Sequence, residues 1–188
     1  GGFNSSACRR VATEKSQLEG AGLSLVAIGR KGRNFLANRD YNVVADYIDV
    51  FRDLTFSSAM TIAGDLSNRF TSGEVDRVVL VYNEFRSVSQ QIPVAHQRLP
   101  IVPSEVEGGT GDFILEPDPD RLMDSLVPRH VNFQVWRALL ESNAGEQASR
   151  MQAMDSATKN AGDLVEQLTR DVNKARQSAI TLELMDII

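Results

Sequence analysis

The residues best suited to chemistry are two glycines around a pair of cations, Gly29-Arg30-Lys31-Gly32, directly after the apolar run Leu23–Ile28. A glycine turn between a strand and a helix can cradle phosphate, because backbone N–H groups and the positive end of the helix dipole converge there. This one lacks the third glycine of a dinucleotide fingerprint, and no Gly-Lys-Ser/Thr follows, so it reads as a turn. The run Gly108-Gly109-Thr110-Gly111 lacks a P-loop lysine. His96 and His130 are the only histidines, and neither has a metal-ligand neighbour at useful spacing. Asp118 and Asp120 have the residue types of an acid–base pair. Helix opening explains them better: Asp118 as N-cap, Pro119 in the first turn, Asp120 at the positive end of the dipole. Nothing resembles a nucleophile with its base. No catalytic, cofactor or metal site is expected.

Composition narrows the classes further. The 188 residues suit one globular domain with an extension. A net charge of −5 and the absence of a recognition motif speak against a nucleic-acid partner. The single cysteine, Cys8, excludes an internal disulfide and a cysteine zinc site, and reads as a packing residue. No run approaches the ~20 apolar residues of a membrane span, and no signal peptide is visible. The chain opens Gly1-Gly2-Phe3-Asn4 without an initiator Met, as a piece of a longer polypeptide would.

The elements that must position any site alternate between extended and helical patterns. Ser5 or Ser6 is expected to cap a helix running to about Leu18, ended by Gly20 and Gly22. Leu23–Ile28, Val43–Ile48, Val78–Tyr82 and Val88–Ala95 read as strands, with Phe113–Leu115 as a last one. Phe56–Phe70 has helical spacing in Met60, Ala63, Leu66 and Phe70, closed by Ser72-Gly73. This alternation predicts an α/β, Rossmann-like domain with a mostly parallel sheet over residues 1–117. A short helix over 118–128 follows, which Pro128 should break or kink. All six prolines lie between Pro93 and Pro128, so 129–188 reads as one helix, roughly 90 Å long at 1.5 Å per residue.

That helix carries a seam. Met151, Met154, Thr158, Ala161, Val165, Leu168, Val172, Ala175, Ala179 and Leu182 advance in alternating steps of three and four, the 3.5-residue period of a left-handed coiled coil. Ala144 and Ala148 extend it loosely upstream. No other segment is long enough to pair along it. The tip residues Ile180, Leu182, Leu184, Met185, Ile187 and Ile188 point to several sides, which implies an enclosing partner. The pattern alone fits a dimerising coiled coil, a bundle helix, or half of a two-helix shaft.

The C-terminal residues also carry a resemblance. Glu141-Ser142-Asn143-Ala144, Glu146 to Met154, Ala157-Thr158-Lys159-Asn160-Ala161 and Asn173 to Gln177 resemble the C-terminal helix of the gamma subunit of F-type ATP synthase. Ile180-Thr181, Glu183-Leu184 and Ile187-Ile188 complete the run. Gly1-Gly2-Phe3-Asn4, Val79 to Phe85, Gln91-Ile92-Pro93 and Glu116-Pro117-Asp118 fall in that family's order. The resemblance implies that the long helix is half of an antiparallel coiled coil, whose other half is an N-terminal helix not included here. It implies a central-stalk rotor subunit that couples ion-driven c-ring rotation to conformational change, and so to ATP synthesis or hydrolysis, in the alpha–beta ring. The subunit itself would be non-catalytic. Its partners would be the alpha, beta and epsilon subunits and the c-ring. It would touch the membrane only through the complex, as a peripheral protein on the cytoplasmic face of the bacterial cell membrane. Arg176, Gln177, Thr181 and Glu183 match positions that touch the stator ring. Two other classes compete: a coiled-coil structural adaptor with an α/β head, and a small α/β enzyme with a helical extension.

Overall fold

The structure is a computed structural model that describes residues 2–18, 20–102 and 118–186. The expected glycine loop at 108–111, the strand at 113–115 and the final two isoleucines lie outside the described residues. Eight elements follow in order: α1 (Gly2–Ser16), β1 (Leu25–Ile28), α2 (Arg30–Ala37), β2 (Val43–Tyr47), α3 (Phe56–Thr71), β3 (Val78–Ser87), β4 (Gln90–Leu99) and α4 (Pro119–Met185). They form two compact units, one ending at Glu146 and one beginning at Gln147. This division falls inside α4, later than the boundaries at 117 and 128 that sequence pattern predicts.

The first unit contains the expected β–α–β step. β1 and β2 pair in parallel, from Leu25 opposite Val43 to Ile28 opposite Tyr47, with α2 as the crossover. Gly29 makes the turn between β1 and α2 at φ 96°, a region that L side chains rarely adopt. β3 and β4 are different. They form an antiparallel hairpin from Val78 opposite Leu99 to Ser87 opposite Gln90. The alternation of elements does not foresee this hairpin. Val88, expected in a strand, lies in its turn, where the Gln91 amide donates to the Ser87 and Val88 carbonyls at 3.1 and 2.8 Å. Pro93 sits within β4 opposite Asn83. Among the described residues β4 pairs only with β3, and a proline is tolerated in a strand paired on one side.

Local signals set the helix ends. The Thr55 hydroxyl accepts from the Ser58 N–H at 3.3 Å, an N-cap for α3. At its other end Gly73, at φ +76°, takes the chain out. Ser5 and Ser6 are not caps; α1 already starts at Gly2, and both serines lie within it. The helix opening at Asp118-Pro119 stands: α4 begins at Pro119, and the Asp118 carbonyl accepts from the Leu122 N–H at 3.0 Å. Pro128 does not end it, because α4 continues through Pro128 to Met185. A proline there forgoes one backbone bond, and the buried side of the helix just downstream holds the segment in place.

That buried side is Val131, Val135, Ala138 and Leu139, spaced to lie on one stripe. It packs with Ala59, Ile62 and Ala63 of α3 and with Val78 and Leu99 at the base of the hairpin. Phe56 adds ring contacts to Phe133 at 5.3 Å and Trp136 at 5.9 Å. Beside this core, burial raises the pKa of the Tyr82 phenol, and the nearby Glu141 carboxylate raises it further. Ile62 has no exposed surface. Ile62→Ala should therefore lower the stability of the first unit by about 2–5 kcal/mol, read as a fall in the urea midpoint at unchanged slope.

Candidate functional site

The structure places the sequence-derived candidates in two groups. The first contains the chemistry that sequence reading weighed and set aside. Arg30 and Arg33, beside the Gly29 turn, face carboxylates: Arg30 to Asp49 at 3.6 Å and Arg33 to Asp46 at 3.2 Å. His96 lies beside Tyr82, with ring centroids 6.1 Å apart. Two open grooves line the α2 side, of 560 and 370 Å³. The larger is walled by Arg33, Asp40, Tyr41 and Asp46, the smaller by Cys8, Arg9, Phe35 and Arg39. Among the described residues no group of three or more His, Cys, Asp or Glu is placed to hold a metal ion.

The second group is the seam. Every described residue from Arg150 to Asp186 is exposed. Met151, Met154, Val165, Val172 and Leu182 each keep more than 60% of their surface in water. A helix stripe this apolar and this long is unstable toward association, because each side chain stands to gain ~1.5–3 kcal/mol on full burial. Small residues at Thr158, Ala161, Ala175 and Ala179 leave room for a second backbone to approach closely. The seam threonine also suits this. The Thr158 hydroxyl donates to the Met154 carbonyl at 2.9 Å, so its proton is satisfied inside the helix.

Heptad spacing also finds apolar residues upstream of the seam, in the first unit. Stepping back in sevens from Met154 and Met151 leads to Leu140, Phe133 and Leu126, and to Met123. All four are exposed, Met123 and Phe133 by about 60% and Leu126 and Leu140 by just over 40%. At 100° per residue, Phe133 and Leu140 lie roughly opposite Val131 and Val135 on α4. So α4 is apolar on two sides here, one against α3 and the hairpin and one largely open. The heptad spacing was available in the sequence. It is hidden by His130, Arg137 and Gln147, which interrupt the run of apolar seam positions.

The proposed contact residues divide into two faces. Arg176 and Glu183 are seven residues apart and stand on one flank of the seam. Gln177 and Thr181, an i,i+4 pair, lie on the side facing away from it. The Thr181 hydroxyl donates to the Gln177 carbonyl at 2.9 Å, which leaves its oxygen able to accept. All four are exposed.

Comparison with known proteins gives this seam its context. A family model described as ATP synthase matches residues 1–188. The ATP synthase gamma chain of Chlorobaculum tepidum is 46% identical over 195 residues, covering all of this chain and 67% of that relative. The chain belongs to the ATP synthase gamma chain family. The gamma chain of Chlorobium phaeobacteroides is 50% identical over 169 residues, covering 89% of this chain and 58% of that relative. The chain thus spans between 57% and 67% of the length of such relatives. Among solved structures, one of the central stalk and c-ring of Tetrahymena thermophila mitochondrial ATP synthase matches with a TM-score of 0.66 at 25% identity, over 84% of this chain and 70% of that one. The rotor of the Euglena gracilis mitochondrial enzyme matches in fold, with a TM-score of 0.60. The small parallel sheet and long C-terminal helix are thus the fold of an ATP synthase central-stalk subunit. No helix among the described residues is long and apolar enough to cross a membrane.

An uncovered helix of this family segment has only its own backbone bonds to protect it. Hydrogen exchange on the chain alone should show amides of 150–186 exchanging at least about 100-fold faster than those of Ala59–Ala63 in α3. Equal protection in the two regions would mean that the seam is already covered.

Proposed function

We propose that this gamma-chain segment works as part of the central-stalk rotor of F-type ATP synthase, carrying c-ring rotation into the alpha–beta ring. The observation that carries the reading is the open heptad seam on α4, in a chain of this family. A second helix laid along it makes a stiff two-helix shaft, and this chain spans only 58–67% of the length of such relatives. The subunit is itself non-catalytic; catalysis belongs to the beta subunits. Rotation shifts their nucleotide affinities because an asymmetric shaft offers each beta subunit a different face in turn.

The remaining assignments follow from this role. The alpha and beta subunits enclose the shaft, with Arg176, Gln177, Thr181 and Glu183 on its surface toward them. The first unit, the foot, meets epsilon and the c-ring. The protein is peripheral, on the cytoplasmic face of a bacterial membrane, and reaches the bilayer only through its partners. Gln177 and Thr181, facing away from the seam, are free to make contacts that form and break at each step. Arg176 reaches outward from the seam's edge.

The experiment uses the gamma chain joined to the rest of its length. A purified alpha–beta ring should retain it, and sedimentation should show it as a monomer before the ring is added. A stable homodimer that ignores the ring would instead favour a coiled-coil adaptor. Within the assembled complex, Arg176→Ala/Gln177→Ala should reduce ATP-driven proton pumping several-fold, by about 1–2 kcal/mol of lost coupling. Normal pumping at normal assembly would remove both residues from the contact surface.

A further inference from the structure

A rotor that turns as one body needs its head to grip α4 against rolling about the helix's own axis, and the first unit contains a device of that kind. Glycine at 145 is dictated by a neighbour: a Cβ there would lie 2.9 Å from Phe3 Cε2 and 3.2 Å from Phe3 Cζ. The Phe3 backbone is held in place. Its carbonyl accepts from the Asn83 side-chain amide at 2.9 Å and from the Ser6 hydroxyl at 2.7 Å. The Ser6 hydroxyl also lies 3.1 Å from Asn83 Oδ1. Asn83 is 2% exposed, the one buried polar residue among those described. The bond from the buried Asn83 amide to the Phe3 carbonyl is costly to break, since a freed amide would be left unpaired away from water.

The geometry supplies the opposing contact. Trp136 meets the Phe56 ring edge-on at 5.9 Å. Trp136 and Gly145 are nine residues apart, which at 100° and 1.5 Å per residue puts them on roughly opposite sides of α4, about 13.5 Å apart along it. The core stripe of Val131, Val135 and Leu139 lies on one side only and so resists roll weakly. Contacts on opposite flanks turn a roll into compression of one ring or the other.

We propose that Phe3, seated on Gly145 and locked by Asn83 and Ser6, is a torsional clamp that positions α4 in the head and transmits torque between them. This rests on the rotor reading. Gly145 and Phe3 are positioning residues that touch no substrate.

The test is made in the assembled ATP synthase with the complete gamma subunit, using Phe3→Ala, Gly145→Ala and the double variant. Coupling is read as protons pumped per ATP hydrolysed, alongside the angular fluctuation of the rotor in single molecules. Each single variant should lower coupling at least about two-fold and widen the fluctuation, at unchanged complex yield. The double variant should lose no more than Phe3→Ala alone, because without the ring the new Cβ at 145 meets no close contact with residue 3. Alanine is the better helix former, so a Gly145→Ala defect cannot come from helix propensity. Should Gly145→Ala fail to assemble, Phe3→Leu supplies the readout, with an intermediate loss. Wild-type coupling and fluctuation in these variants, or losses that simply add in the double variant, would overturn the clamp. If the unaltered subunit itself gave no coupled rotation, the rotor reading would fail instead.

Discussion

The whole arrangement depends on how much apolar surface a single helix can hide. An amphipathic helix commonly offers one apolar stripe about 100° wide. Between Val131 and Leu140, α4 carries two. Val131, Val135 and Leu139 are almost fully buried, while Phe133 and Leu140 on the other side are exposed. The first stripe explains why the head folds around α4: it closes one side of the core formed with α3 and the base of the hairpin, while Ile28, Tyr47, Phe51 and Leu54 pack against the same cluster. The second is the start of a seam that continues past the last residue of the first unit. One helix therefore belongs to two hydrophobic systems, and only one of them is complete in this chain.

This division accounts for the contrast between the two units. The first has a three-dimensional core with aromatic contacts, caps and a buried polar triangle. The second has i,i+4 bonds, such as Thr158 to the Met154 carbonyl and Arg170 to Glu166, and every described residue from Met151 on is exposed. Such local bonds are worth only a few tenths of a kcal/mol each. They keep a helix helical without deciding what it meets. What it meets is decided by the spacing of side chains that water covers poorly.

Much of this was legible from sequence because it rests on periodicity. The 3.5-residue step from Met151 to Leu182 lies wholly within α4, in a stretch where every described residue is exposed, and α3 ends where Ser72-Gly73 says it should. β1 and β2 announce themselves as short apolar runs around a glycine turn. The hairpin was less legible. Its two-residue turn, Val88-Ser89, lacks the Asn-Gly or Asp-Gly pair that marks tight hairpins, and Val88 has strand character. The start of α1 was misplaced for a similar reason, since Ser5 and Ser6 are good caps locally but Ser6 is needed at Phe3 and Asn83. Pro128 predicts a break or a kink because a proline costs a helix one bond, and the structure excludes the break. Local rules carry no information about the core stripe that begins three residues later.

The residue-level contacts with other subunits were the least legible, and the reason is physical. A buried core residue is constrained from all sides within its own chain, so its pattern can be read there. Arg176, Gln177, Thr181 and Glu183 are exposed, so no packing within the chain marks them out. In this chain they are exposed polar groups on a helix, the same description that fits Lys174 or Asp171. Family resemblance is what distinguishes them. The backbone adds one thing to it: Gln177 and Thr181 face away from the seam while Arg176 and Glu183 stand at its edge. A shaft helix paired along the seam can present the first two directly to a surrounding sleeve. The second two must share their space with the partner helix, so their contacts depend on that helix being in place.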